Sequence, residues 1–126
     1  METPVLCCIT AQETCLGILK RGKEMAERLG CPVRAVSVQP LHREAADRAR
    51  DLIVLEGLTR ESGIDIDVVY SDNPLLALAE YIEQAPPVHI FTGKQAEGGS
   101  FVMTLAERCR LPVSMVWGEN VYNIAD

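Results

Sequence analysis

The stretch DNPLLALAEYIEQAPPVHIFTG, residues 72–93, contains one complete helix-to-strand unit. Asp72-Asn73-Pro74 is typical of a helix start, because Asp and Asn cap the first turn and proline fits the first helical position. Four apolar residues then recur at helical spacing. They are Leu75, Leu78, Ala79 and Ile82. After two prolines, Val88 to Thr92 is a continuous apolar run, which predicts a strand buried on both faces.

Working outward, the same alternation of strand and helix patterns fills the chain. The predicted strands are Val5 to Thr10, Val33 to Val38, Ile64 to Tyr70, Val88 to Thr92 and Val113 to Trp117. The other predicted helices are Glu13 to Leu29, His42 to Ser62 and one that begins at Ser100. The third strand alternates apolar and polar residues, so we expect it near a sheet edge.

This order of elements favours parallel pairing through right-handed crossovers. It predicts an α/β fold: a three-layer α/β/α sandwich around a five-stranded parallel sheet of the Rossmann or flavodoxin type. We expect a single domain over residues 1–126, with residues 118–126 as a polar tail. In such sheets ligands bind beyond the carboxyl ends of the strands.

Composition excludes several classes of protein. The 126 residues are 48% hydrophobic and carry a formal charge of -6. Because phosphate backbones select basic surfaces, we expect no nucleic-acid partner. No apolar run approaches the roughly 20 residues that span a bilayer, so we expect no membrane insertion. The first residues lack the pattern of a signal peptide, and we expect a cytoplasmic protein.

The five cysteines form no Cys-x-x-Cys pair, and only two histidines accompany them. The ligand spacing of a zinc site is therefore absent, and we expect no metal. The main interpretation is reduced, mostly buried thiols. A redox switch is the alternative, with Cys15 as its best candidate because Cys15 lies near a predicted helix start, where a thiolate is favoured.

The segment from Gly93 to Gly99 is a glycine-rich loop before a helix that Ser100 can cap. Glycines let a backbone approach a ligand closely, and the free N–H groups of a helix start attract an anion such as phosphate. Lys94 could add a positive charge. An ordinary strand-to-helix loop explains the glycines about equally well, and the spacing fits neither a Walker motif nor the dinucleotide fingerprint.

The sequence predicts no catalytic residues, because no Ser or Cys is identifiable beside a base. We interpret His42 as a capping or solvated side chain and His89 as a satisfied core residue. Asp65 and Asp67 have the spacing of the exposed face of one strand, so solvated surface is the better interpretation for this pair.

The last predicted strand, Val113 to Trp117, is uncharged and apolar. At a sheet edge such a strand would expose unpaired backbone groups. We therefore expect a homodimer that pairs through this strand. The alternative is that residues 118–126 fold over the edge.

Several of these segments together resemble the universal stress protein family. Gly99-Ser100 opens the last helix and Leu111-Pro112-Val113 precedes the final strand, as at the carboxyl end of that family. The Arg-Leu-Gly-Cys-Pro-Val step at residues 28–33 fits the family's entry into its second strand. The first strand, which ends Ile9-Thr10-Ala11-Gln12, is closest in pattern to the universal-stress-like domain of Kdp-type potassium-sensor histidine kinases.

The resemblance implies a stress-response regulatory domain that binds ATP, another adenine nucleotide or another anion. We expect no enzymatic activity, because no nucleophile, base or metal site is identifiable in the sequence. The ATP-binding branch has a glycine, two residues, a second glycine, nine residues and then Gly-Ser or Gly-Thr. Here Ala96 stands at the second glycine and two residues replace the nine. By position the resemblance implies nucleotide contacts at Thr10, Val38, Gly93, Gly99, Ser100 and Phe101. A dimerising interaction module that has lost nucleotide binding remains the alternative.

Overall fold

A computed structural model describes residues 3–93 and 100–125, with side chains excepted for residues 100–103 and 125. Its strands are β1 Val5–Cys8, β2 Val33–Gln39, β3 Ile66–Tyr70, β4 His89–Gly93, β5 Val113–Trp117 and β6 Asn120–Ala125. Its α-helices are α1 Leu16–Leu29, α2 Ala45–Ser62, α3 Pro74–Gln84 and α4 Ser100–Cys109. A short 3-10 helix, Glu13–Cys15, leads into α1.

The strands form one sheet in the order β3-β2-β1-β4-β5-β6. The first five are parallel, and β6 is antiparallel to β5. The predicted α/β class and mostly parallel sheet are confirmed, and so is the position of β3 at an edge. The prediction of five strands is wrong, because residues that we expected in a polar tail form the sixth.

We expected a second copy to pair with Val113 to Trp117, and this prediction of the pairing strand is wrong. A two-residue loop joins Trp117 to Asn120, with Gly118 in the left-handed region at φ 62°. The chain then returns along β5, with one register shift between Val113 and Ser114. Because β4 occupies the other side, β5 is an interior strand with no open edge. The alternative, a tail folded over the edge, describes the observed arrangement.

Two apolar layers enclose the sheet. On one face, α1 and α2 contribute Leu19, Leu55 and Leu58 to a cluster with Cys7 and Phe91. On the other face, α3 and α4 pack against the sheet through a second cluster. Its buried members are Leu6, Cys8, Val36, Leu78, Ile82, Ile90, Leu105, Ala106 and Val113. The helices therefore leave the carboxyl ends of the central strands as the place where loops converge.

The helix starts follow from local chemistry. The Asn73 side chain accepts a hydrogen bond from the Leu76 amide at 3.2 Å, with Pro74 at the first helical position, so the predicted cap is confirmed. The second helix begins at Ala45 rather than His42. Within the described ranges, no helix is both long enough and apolar enough to cross a membrane.

Candidate functional site

The candidate site lies where the strand order reverses. From β1 the chain builds outward through β2 and β3, whereas β4 and β5 extend the sheet in the other direction. A crevice forms at such a reversal, at the carboxyl ends of the strands. The strands β1, β2 and β4 are neighbours. Thr10 lies two residues after β1, Val38 lies one residue before the end of β2 and Gly93 ends β4, and α4 starts at the same edge. We call this place the carboxyl-edge crevice.

Thr10 occupies the turn between β1 and the first helices. Its carbonyl accepts a hydrogen bond from the Gln12 amide at 2.8 Å, and its side chain is exposed. The Thr10 Oγ1 lies 3.5 Å from the Sγ of Cys15. Thr10 therefore presents a neutral polar group at the crevice, at a position where the resemblance implies a nucleotide contact.

The side chain of Val38 takes part in core packing. It is half-buried and packs, together with Val69 and Leu75, against the core cluster on the α3 and α4 face. Its backbone pairs with Val69 of β3. The packing of Val38 against the core explains an apolar residue at this position without a ligand.

Close packing against α1 explains why residue 93 is a glycine. It ends β4 beside Val116, and a Cβ placed on it would lie 2.9 Å from the Cδ1 of Ile18 in α1. Its φ does not lie in the left-handed region. The close approach of α1 is thus one reason for a glycine here, whether or not a ligand binds.

The remaining implied contacts are only partly placed. Gly99 and Lys94 lie outside the described residues. Ser100 and Phe101 are the first two residues of α4, so their backbone belongs to the helix start next to the end of β4. The first backbone N–H groups of an α-helix have no partner inside the helix and carry partial positive charge. An anion is the ligand that such a start can bind.

The loop after β2 is organised by contacts that the sequence did not indicate. The Leu41 amide donates to Asp72 Oδ1 at 3.1 Å, and Arg48 Nη2 donates to the Leu41 carbonyl at 2.7 Å. The Arg48 guanidinium also lies over the ring of Tyr70, 5.1 Å from its centre. Asp72, which we interpreted as a cap, instead joins the β2–α2 loop to the start of α3.

A cavity beside this loop, lined by Gln39, Arg48 and Tyr70 among others, has a volume of about 10 Å³. That is room for about one water molecule. The loop after β2 is therefore closely packed, and this cavity is too small for a nucleotide.

The two histidines lie in different parts of the fold and do not share a site. His42 is exposed, and its Nε2 lies 3.8 Å from Asp72 Oδ2. His89 begins β4, at the opposite end of the sheet from the crevice. Its Nε2 is 2.7 Å from Ser114 Oγ, which donates to Asn123 Oδ1. This hydrogen-bonded chain agrees with the prediction of a satisfied histidine, and it ties β4, β5 and β6 together.

All five cysteines are free. Cys7, Cys8 and Cys15 are buried, whereas Cys31 and Cys109 are half-buried. Burial raises the pKa of the Cys7 thiol to about 12, and it also raises the pKa of Cys8 and Cys109. Cys15 is 5% exposed, so an oxidant has little access to the thiol that we considered as a redox switch. In the part of the chain that the structure describes, no cluster of metal-ligating side chains occurs.

Comparison with solved structures places the fold. A universal stress protein from Archaeoglobus fulgidus superposes with a TM-score of 0.75 at 16% identity, over 93% of this chain and 95% of that chain. A universal stress protein from the same organism in complex with dAMP gives 0.68 at 15% identity, over 91% and 98%. A universal stress protein in complex with cAMP gives 0.70 at 14% identity, over 92% and 98%.

By sequence, no family model matches the chain and no curated protein matches it. The structural neighbours are universal stress proteins, and at these identities the likeness shows the fold alone. The closer resemblance to the Kdp-type sensor domain stays a prediction.

Proposed function

We propose that this chain is a regulatory domain of the universal-stress type that binds an adenine nucleotide at its carboxyl-edge crevice. The observation that carries the proposal is the fold shared over more than nine-tenths of the chain with proteins solved in complex with dAMP and with cAMP. The crevice at the reversal of strand order is where a fold of this kind binds its ligands.

The proposed ligand is held mainly by backbone groups and neutral side chains. Its phosphate lies against the N–H groups at the start of α4, at Ser100 and Phe101. Gly99, the remaining implied contact at this end, precedes them in the sequence. Thr10 offers a hydroxyl beside the start of α1, and the main chain of Val38 faces the base. Such a ligand regulates only through a difference in its affinity for two states of the domain.

The test is calorimetric titration with ATP and dAMP. Gly99→Val combined with Ser100→Leu should weaken binding at least a hundredfold, because two branched side chains obstruct the helix start. Gly57→Val is the matched control, since Gly57 lies in α2 with nothing within 4 Å of an added Cβ. Unchanged affinity in the double variant would contradict the site. Thr10→Val, at an exposed position, tests the same crevice if the double variant does not fold.

We propose binding without turnover. Incubation with ATP should release no AMP or phosphate above the blank. Steady release that disappears in Ser100→Ala would overturn this part of the proposal.

A second candidate is an interaction module without nucleotide. Two observations favour it: Gly93 is explained by its contact with Ile18, and the loop before α4 is shorter than in the ATP-binding pattern. If the chain is such a module, we expect that no nucleotide will change the stability of the folded protein.

A further inference from the structure

The sheet ends on one side at β3, which pairs with β2 alone. The Ser71 amide, directly after the strand, donates to the Gln39 carbonyl of β2 at 2.9 Å. Successive backbone N–H groups of a strand point to opposite sides, so the amides of Val68 and Tyr70 face away from β2. No other strand of the described chain pairs with that side. It therefore offers backbone donors and acceptors to a further strand.

One face of this edge carries an apolar groove between β3 and α2. Side chains of Ile66 and Val68 on β3 and of Leu52 and Leu55 on α2 line it, and its volume is about 410 Å³. Pockets that bind ligands have volumes of roughly 300–1,000 Å³. Leu52 is 38% exposed. Alternate side chains of a strand placed beside β3 point to this face, where apolar ones would cover the exposed apolar surface.

The other face of the edge is acidic, because Asp67 and Asp65 alternate with the residues that line the groove. The Tyr81 hydroxyl and the Arg34 guanidinium both donate to Asp67, yet its side chain remains 52% exposed. These hydrogen bonds hold the pKa of the Asp67 carboxyl below its usual value, so it is ionised at neutral pH. Asp65 is exposed and forms no ion pair within the described ranges.

Charge decides which strand fits this edge. Antiparallel pairing with a second copy would bring the acids of two β3 strands together, and each chain carries a formal charge of -6. Like charges that lie opposite each other destabilise a strand pair, whereas a cationic partner is attracted to the edge and to the whole chain. The rim of the groove favours neither sign, since Glu56 and Arg60 carry opposite charges. A cationic strand therefore fits better than a second copy.

We propose that β3 binds an extended peptide segment of another protein, in which apolar residues alternate with lysine or arginine. The segment adds one strand to the sheet by pairing with the outward backbone groups of β3. Its apolar side chains enter the groove beside α2, and its cationic side chains approach Asp65 and Asp67. In this mode of binding the main chain contributes affinity and the alternate side chains contribute specificity. The interaction does not depend on whether the carboxyl-edge crevice binds a nucleotide.

The experiment is fluorescence anisotropy of a labelled peptide, acetyl-Lys-Val-Lys-Val-Lys-Val-amide, titrated with the full chain. One control peptide, acetyl-Lys-Lys-Lys-Val-Val-Val-amide, has the same composition without the alternation. The other, acetyl-Glu-Val-Glu-Val-Glu-Val-amide, has the alternation with the opposite charge. We expect the alternating lysine peptide to bind about tenfold more tightly than either control, because only it fits both faces of the edge.

Two pairs of variants locate the binding surface. Val68→Pro removes an outward amide, and an edge strand tolerates proline in that orientation, whereas Val68→Thr keeps the amide and nearly the same shape. We expect the affinity for the lysine peptide to fall about tenfold in Val68→Pro and to change much less in Val68→Thr. Asp65→Lys should weaken binding more than Glu27→Lys, which makes the same change of charge on α1.

No binding of the lysine peptide at several hundred micromolar protein would overturn the proposal, and so would equal binding of the two lysine-containing peptides. An affinity that Val68→Pro leaves unchanged, or that Glu27→Lys lowers as much as Asp65→Lys, would contradict the site. Self-association of the wild type that Val68→Pro abolishes would overturn the proposal in favour of a second copy.

Circular dichroism establishes that each variant is folded. If Val68→Pro is not folded, amide NMR spectra of the wild-type chain titrated with the lysine peptide replace it. The proposal predicts that the largest shifts occur within residues 52–71, and largest shifts elsewhere would contradict it.

Discussion

Gly93 and Ile18 meet where β4 ends under the first turn of α1, with only 2.9 Å between an added Cβ and the Ile18 Cδ1. Through this contact α1 packs against β4, the strand that ends at the carboxyl-edge crevice. The helix and the crevice are therefore coupled by packing, and substitutions at either residue should report on it.

Gly93→Ala should destabilise the protein by about 1 kcal/mol, because the new methyl group presses on a buried side chain. Ile18→Val removes the Cδ1 that it meets. In that background the added cost of Gly93→Ala should fall close to zero, as measured by urea unfolding of the four proteins in a double-mutant cycle. An equal cost in both backgrounds would mean that the contact does not account for the glycine.

A tighter glycine contact lies in the middle of α1. A Cβ on Gly22 would lie 2.2 Å from the Sγ of Cys7, whose side chain is fully buried in β1. We expect Gly22→Ala to cost on the order of 3 kcal/mol, because neither the helix nor the strand can move freely.

Gly57→Ala is the matched control for Gly22→Ala. Gly57 also lies inside a helix, and nothing lies within 4 Å of its added Cβ. This substitution should stabilise the protein by up to about 1 kcal/mol through helix propensity. Urea midpoints measure both variants, and similar values for the two would contradict the packing of α1 on β1.

Stability should fall at alkaline pH because of Cys7. Burial raises the pKa of its thiol to about 12 from the ordinary value of 9.0. Between these values the unfolded chain releases the proton and the folded chain keeps it. The stabilising contribution is therefore complete below pH 9 and is lost as the pH rises toward 12. The slope from one such group is at most about 1.4 kcal/mol per pH unit.

Cys7→Ala should reduce the fall of the free energy of unfolding with rising pH by the contribution of one titrating thiol. This holds whatever the substitution does to the stability at neutral pH. The free energy of unfolding at several pH values from 8 upward measures the difference between the two proteins. Parallel curves would show that the Cys7 thiol does not titrate as its burial demands.

Much of the fold was predictable because its elements have regular periods. The helix from Pro74 and the strand that follows it stand in the structure within a residue or two of their predicted bounds. β6 was missed because its two asparagines and the neighbouring acids resemble a polar tail. Gly118-Glu119 between apolar segments was the signal for a two-residue hairpin, and Gly118 does adopt a left-handed φ there.

The candidate site was less accessible to sequence reasoning. The residues of the strand ends could be named because parallel strands bring their carboxyl ends to one edge. The directions of the side chains could not be predicted from the sequence. The packing of Val38 into the core and the contact of Gly93 with Ile18 depend on how the helices pack on the sheet. The bridge from Asp72 to the Leu41 amide spans 31 positions of the chain and has no local pattern.

The most direct test of nucleotide binding is the thermal midpoint of the purified chain with and without millimolar ATP, ADP, AMP, dAMP and cAMP, with GTP as the control for the base. A ligand that binds only the folded state stabilises it by about 2.7 kcal/mol at a hundredfold excess over its dissociation constant. We expect the thermal midpoint to rise by several degrees with at least one adenine nucleotide and by less with GTP. No increase with any adenine nucleotide would contradict it, and the interaction module without nucleotide would then be the better description.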